Sequence, residues 1–481
     1  MARMGTLLSQ TAIYMVGLAL SRGIAIALVP LYTRTLSPAD FFTWDLATTT
    51  ILFVLAIAEL GMSSALARFY VKADSNAERR AVARTASAVA FLMLVLTVGT
   101  LLAFRGPAAV LAFGDAADLD LIDLVALIVA LTVFSNLPLA LLRAQERPIA
   151  FATVCFLRAL VGSAFIILFV VVWGWGIKGI LLGDAAGLAA VSLAGLVLNR
   201  ADLVPAINRQ ALRDLLLFGV PLIPIGIATT IVLVSDRYFL REHVGTSEAA
   251  VYSLAFKVAT LVNLVAMALQ TAWAPTAFRI AKQEDAGRAL ADSFRMIALA
   301  LGLLALAISC VAPELTRVFA SSPEYAGAHR IVPWLAFSYS LQAAVLIVNT
   351  NLVIGNRTVY STLIFCAGAV LKLFLNQALI PRYGIDGAAI ATFAVFGVEL
   401  VLVFVIGAAV FPVPYDFRRL GALVILLAVC AMCASWAMTF SYSVSLILRA
   451  LCVVGFVLIV SFSGIVQRSE LKRLRNTASG V

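Results

Sequence analysis

Apolar runs, most of 19 residues or more, alternate along the chain with short segments carrying charge, glycine or proline. A helix rises 1.5 Å per residue, so about 20 apolar residues cross a hydrocarbon core of about 30 Å. The pattern predicts fourteen membrane-crossing helices, near 9–32, 43–66, 85–104, 119–142, 149–172, 179–198, 215–239, 250–273, 294–312, 332–354, 359–380, 387–411, 419–438 and 444–466. A transmembrane β-barrel would need strictly alternating strands of about 10 residues, which none of these runs shows. The longest connections, 199–214 and 278–293, reach about 16 residues, too few for a folded domain. The working parts must therefore lie within the spans.

Composition agrees. The chain of 481 residues is 63% hydrophobic and 12% charged, with a mean hydropathy of +1.05. Its net charge of +10 does not form a nucleic-acid-binding patch, because the basic residues alternate between loops. With the N-terminus inside, the inner segments hold about 22 Lys and Arg and the outer ones about 8, so both termini are predicted to be cytoplasmic. Met1–Arg22 has a basic start but no clear cleavage pattern, and it reads as the first helix rather than a removed signal. Cys155, Cys310, Cys366, Cys430, Cys433 and Cys452 all fall in apolar runs, where Cys430-x-x-Cys433 reads as packing rather than a redox or metal pair.

A repeat runs through the first twelve helices. Arg34 to Asp40 corresponds to Arg241 to Glu248 at an offset of 207, Ala144 to Arg147 corresponds to Ile354 to Arg357 at 210, and Gly176 to Gly179 corresponds to Gly384 to Gly387 at 208. Three ordered matches at one spacing imply two six-helix lobes, 1–200 and 201–414, followed by two additional helices and a basic tail, 415–481. An even number of helices per lobe makes the repeats parallel, related by a pseudo-twofold axis along the membrane normal, with a substrate site expected between them.

Arg22 falls near the middle of the first span, where a guanidinium costs about 2.5 to 3.5 kcal/mol on insertion scales unless it faces protein or water. Arg158, Lys257 and Lys372 are further cations within spans, and Glu59, Asp184 and Glu399 are carboxylates there. Mutual ion pairing is the simplest explanation of such a set. Asp236 and Arg237, at the outer end of the seventh helix, read first as local structure, and Arg449 is expected to snorkel outward. Pro221 and Pro224 permit a kink, static or gating. Trp273 reads as an interfacial anchor first and a gate residue second. His243 and His329 form no metal constellation, and neither a nucleotide-binding glycine loop nor a catalytic triad is present, so no cofactor is expected.

The segments Arg34-Thr-Leu-Ser-Pro38, Gly61 with Ala67-Arg-Phe-Tyr70, Phe218-Gly-Val-Pro-Leu-Ile-Pro224, Ser235-Asp-Arg-Tyr238, Val251-Tyr-Ser253, Ala272-Trp-Ala-Pro275 and Asn376 to Gly387 resemble the polysaccharide transporter family of lipid-linked oligosaccharide flippases. That family shares a superfamily with the multidrug and toxin extrusion transporters and the lipid II flippases. Phe42 departs from the glycine often found there. The resemblance implies a monomeric, non-enzymatic protein of the bacterial inner membrane. It would carry an undecaprenyl-pyrophosphate-linked oligosaccharide, an O-antigen, capsule or exopolysaccharide unit, between leaflets by alternating access, alongside a polysaccharide polymerase and a chain-length regulator. In that setting Arg22 and Lys257, on helices lining the central cavity of the resembled family, and then Arg158 and Lys372, become candidates for binding pyrophosphate. Glu59, Asp184, Glu399, Asp236 and Arg237 become coupling or ion-pair residues. Arg offers phosphate a planar fork and Lys a point charge. The competing readings are a lipid II flippase, a drug or cation antiporter, and a membrane polysaccharide polymerase. An antiporter should have an acidic cavity, and a polymerase a large loop or paired carboxylates.

Overall fold

The computed structural model describes residues 17, 20–114, 119–200, 202–320 and 322–463. Most of the first predicted span before residue 20, and the basic tail from 464, lie outside the described residues. All regular structure among the described residues is helical. Twelve of these helices are long and apolar enough to cross a membrane. One of them, Thr358–Val410, has 53 residues, far more than one crossing needs, and breaks at Gly384 (φ 54°, ψ −131°) into the two spans expected from the sequence. The predicted spans from the second to the fourteenth thus each have a described helix. The first continues as helical residues 20–27 and the short helix Val29–Thr35.

Packing divides the described residues into two compact units, one ending at Ala250 and the other beginning at Val251. This boundary falls at 250, whereas the repeat places one at 200. The helices of the seventh span, between Arg209 and His243, pack within the first unit.

In the N-terminal unit the sequence Leu36-Ser-Pro-Ala-Asp40 builds a helix start. Ser37 Oγ accepts from the Asp40 amide at 3.1 Å, and Pro38 occupies the first turn, where no amide hydrogen is needed. The helix then ends at Ala58, earlier than the predicted 43–66 span. Leu60 (φ 46°) and Gly61 (φ 65°) adopt left-handed backbone, and Met62–Lys72 follows as a separate amphipathic helix. The break is fixed by a contact from the seventh span: a methyl group built on Gly61 would lie 2.9 Å from the Gly219 carbonyl oxygen. That span is itself broken, with a 3-10 turn at Val220–Leu222 between Arg209–Gly219 and Ile223–Val234. Pro221 and Pro224 each sit in the first turn of the segment they open.

In the C-terminal unit the last two helices, Phe417–Ala437 and Tyr442–Phe462, pack on Ala286–Cys310 through Leu306, Cys310, Leu427, Cys430 and Phe456. All six cysteines are free. Cys430 is buried in that cluster as expected, and Cys433 is exposed.

The repeated motifs have matching backbones. Glu146 and Asn356 both take φ 54°, each in a turn where the next residue, Arg147 or Arg357, donates its amide to a carbonyl five residues back. Gly176 and Gly384 likewise share φ 54°. Gly179 and Gly387 each press on the preceding helix, at Phe169 and Leu379 respectively, positions separated by 210.

Candidate functional site

Within the N-terminal unit, the first span packs on the fifth through small residues. A methyl group built on Gly17 would lie 2.9 Å from Ala152, and Ser21 Oγ donates to the Cys155 carbonyl at 2.9 Å. Gly23, by contrast, has nothing within 4 Å of its built methyl. Arg22 lies about 100° around the helix from Ser21. Its side chain is exposed.

The fifth and sixth spans bring Arg158 and Asp184 together at 3.5 Å, with side chains 41% and 45% exposed. Asp184 is therefore a half-open partner of Arg158 rather than a buried carboxylate. Glu59 is half-buried and accepts a hydrogen bond from Asn136 Nδ2.

Arg237 is enclosed. Its guanidinium meets Asp45 at 3.2 Å and Asp236 at 2.7 Å and donates to the Leu233 carbonyl, with every participating side chain at most 3% exposed. Two carboxylates around one guanidinium give a buried hydrogen-bonded network. Asp45, its third member, gave no signal in the sequence beyond being an acid inside a predicted span. Nearby, the Tyr238 and Thr50 hydroxyls meet at 3.0 Å.

Within the C-terminal unit, Lys372 is fully buried and donates to Thr392 Oγ1 at 2.5 Å. Glu399 is 2% exposed and lies over Gly368, where a methyl group would collide with its carboxyl oxygen. Lys257 is half-buried. The four candidate cations do not form one cluster within either unit: Arg158 meets Asp184, Lys372 meets Thr392, and these pairs belong to separate units.

Arg449 does not snorkel outward. It is 2% exposed and forms a two-pronged pair with Glu314 at 2.7 and 2.8 Å, because the short helix Ala312–Phe319 supplies a carboxylate within reach. That pairing holds the Glu314 carboxyl below the ordinary carboxylate range. Trp273 is not an interfacial anchor either. Its ring is buried, and Nε1–H donates to the Ile347 carbonyl at 3.1 Å and Thr350 Oγ1 at 3.2 Å, which fixes one helix against another. Among the described residues no three His, Cys, Asp or Glu side chains converge as a metal site.

A family model described as polysaccharide biosynthesis protein matches residues 7–281, more than half of the chain. The chain belongs to that family. No curated protein matches it. Its fold is similar to that of the lipid II flippase MurJ in an inward closed conformation, with TM-score 0.72 and 12% identity over 95% of this chain and 100% of that one. It is also similar to a multidrug resistance MATE family transporter of the MOP superfamily. The inward-facing form gives TM-score 0.65 and 15% identity over 82% of this chain and 95% of that chain. The outward-facing form gives 0.63 and 17% over 84% and 94%. These relatives are transporters and flippases, not enzymes. The chain is thus a multi-pass membrane protein with a MurJ- and MATE-like fold.

Proposed function

We propose that this protein moves an undecaprenyl-pyrophosphate-linked oligosaccharide from the cytoplasmic to the periplasmic leaflet of a bacterial inner membrane by alternating access. The observation that carries this reading is Arg22, an exposed guanidinium midway along a span, about 100° from the neighbouring serine that packs on the fifth span. Such a group cannot face hydrocarbon at small cost, so its side of the helix must meet polar groups of the protein, water or an anion. Membership of the polysaccharide biosynthesis family supports a lipid-linked sugar as the cargo, and its diphosphate is the anion assigned to Arg22 in this reading. Lys257, half-buried on the eighth span, is the second contact, as a point charge. Arg158 and Lys372 serve mainly to hold their own helix pairs through Asp184 and Thr392. The inside-negative potential favours outward movement of each negative charge by about 2.3 kcal/mol per 100 mV. Both termini are cytoplasmic in this reading, and the carrier acts as a monomer beside a polymerase and a chain-length regulator.

The test is surface polysaccharide in a strain lacking the wild-type gene copy, with membrane levels of each variant verified by immunoblot. Arg22→Ala abolishes export at a normal level of protein, Arg22→Lys retains part of it, and Lys257→Ala has a milder defect. Full export by a normally inserted Arg22→Ala protein removes Arg22 from the mechanism.

A further inference from the structure

The C-terminal unit has a cavity of about 500 Å³ at one end of its helices, remote in sequence from every candidate cation considered for transport. Its walls come from the helix Ala312–Phe319, the turn at Pro323–Tyr325, the start of Ala328–Ile354 and the link between the last two helices. Loop parity puts these segments on the outer side. The volume suits one or two sugar rings, within the usual range of about 300 to 1,000 Å³ for ligand pockets.

The chemistry of the wall is specific. Arg317 is exposed, makes no ion pair among the described residues, and has its guanidinium 5.4 Å from the centre of the Tyr442 ring. Its neighbour one turn back, Glu314, is held by both guanidinium prongs of Arg449 and couples to Arg317 only more weakly. The exposed Glu324 is engaged by the Ser322 hydroxyl at 3.1 Å. His329 must carry its proton on Nδ1, which lies 2.7 Å from the Ala326 carbonyl oxygen, so the neutral ring offers Nε2 as an acceptor for a hydroxyl. Thr316 and Ser445 add hydroxyls, and Tyr442 and Phe440 add flat apolar faces.

We infer that this cavity is a binding site for the head group of an anionic sugar, carboxylated or phosphorylated, with Arg317 holding the anion and Tyr442 stacking on the ring. Its interpretation as a station for cargo reaching the outer leaflet rests on the function proposed above. The same anion chemistry is found in phospholipid head groups, so the source of the ligand is part of the test.

The full-length protein, in nanodiscs of zwitterionic lipid, is mixed with free glucuronate, and binding is read by saturation-transfer NMR. Glucuronate gives transfer, glucose gives much less, and inorganic phosphate displaces glucuronate. Arg317→Ala weakens glucuronate binding by about tenfold or more, the range of a charge-assisted hydrogen bond. Tyr442→Ala weakens it as well, whereas Tyr442→Phe, which keeps the ring, retains most of it. Thermal unfolding identifies any variant that is misfolded, and Arg317→Lys, which keeps the charge, then serves in its place with a partial loss. Loss of the glucuronate signal in nanodiscs containing phosphatidylglycerol supports the anion site and assigns it to phospholipid; persistence of the signal supports it and assigns it to sugar. Equal binding of glucuronate and glucose, or unchanged binding in folded Arg317→Ala, overturns the inference. Because the measurement uses free sugar acid and needs no transport, a failure of the export assay for Arg22 variants leaves it intact, and a failure here leaves that assay interpretable.

Discussion

The hairpin formed by Pro148–Ile167 and Gly176–Asn199 and the two halves of Thr358–Val410 occupy corresponding places in the repeat, yet they solve the same packing problem differently. In the first, glycines bring backbone to backbone. A methyl group on Gly187 would fall 2.7 Å from the Arg158 carbonyl oxygen, and one on Gly183 would fall 2.6 Å from the Ile166 nitrogen. At an offset of 208 the second hairpin has Ala391 and Val395, both fully buried. Asp184 corresponds at that offset to Thr392, so each hairpin sets a cation, Arg158 or Lys372, against the equivalent position. Where glycines close the seam, the polar pair is left half exposed; where side chains fill it, Lys372, Thr392 and Glu399 are buried. The repeat has kept its backbone turns and exchanged its charge. Small residues in membrane helices thus do more than permit close approach, because they also decide whether a polar pair lies inside the seam or beside it.

The largest effect is expected when the first hairpin is given the residue of the second. Gly187→Val should cost about 1 to 3 kcal/mol or more through overpacking against backbone, visible as a lowered thermal midpoint in detergent. A wild-type midpoint would mean that the seam opens freely. Next, Thr392→Val removes the hydroxyl that accepts from Lys372 and should cost about 1 to 3 kcal/mol, while Lys372→Met, of similar volume, should be neutral or stabilising. If Lys372→Met keeps its stability but loses export, Lys372 acts on cargo after all. A smaller effect is expected for Asp184→Thr, which copies the second hairpin into the first: less than about 1 kcal/mol, since the pair is open on one side. A loss of several kcal/mol would show that the open side of Arg158 faces hydrocarbon.

The smallest effect concerns acid. Glu314, outside the spans, is held by Arg449 below its ordinary range. A depressed folded-state value contributes stability that is present above the unfolded carboxylate value of about 4.3 and is lost as pH falls through the folded one. Acid titration of unfolding should therefore be less steep below about pH 4 in Glu314→Gln than in the wild type. Identical slopes would show the pair to be inert.

Spans were legible in the sequence because 20 apolar residues have few other uses, and the Gly384 break was legible because its Gly-Ile-x-Gly pattern recurs at Gly176. The end of the second helix at Ala58 was not, since hydropathy continues through Leu60-Gly-Met62 and only the approach of Gly219, far along the chain, requires the turn. Arg449 and Trp273 were misread for the same reason: Glu314 and Thr350 lie on other helices, and a pattern read along one helix contains no partner on the next. Several segments that carried the family resemblance prove to be joints within the first unit. The Arg68 guanidinium lies 4.6 Å from the centre of the Phe218 ring, Gly61 abuts Gly219, and Asp236-Arg237 meets Asp45. Such motifs report the scaffold, which explains why they identify a family more readily than a cargo.

The Asp45–Arg237 contact also has a bearing on synthesis. Its two ends are 192 residues apart, so at about 5 to 20 residues per second the ribosome needs roughly 10 to 40 s between them. For that interval Asp45 resides in the bilayer without Arg237, and when the seventh helix emerges its own Asp236-Arg237 pair must leave the translocon toward an acid already waiting. Completion of the first unit is therefore a timed event in biogenesis, and delaying or weakening it should expose the nascent chain to membrane proteases before the second unit has been translated.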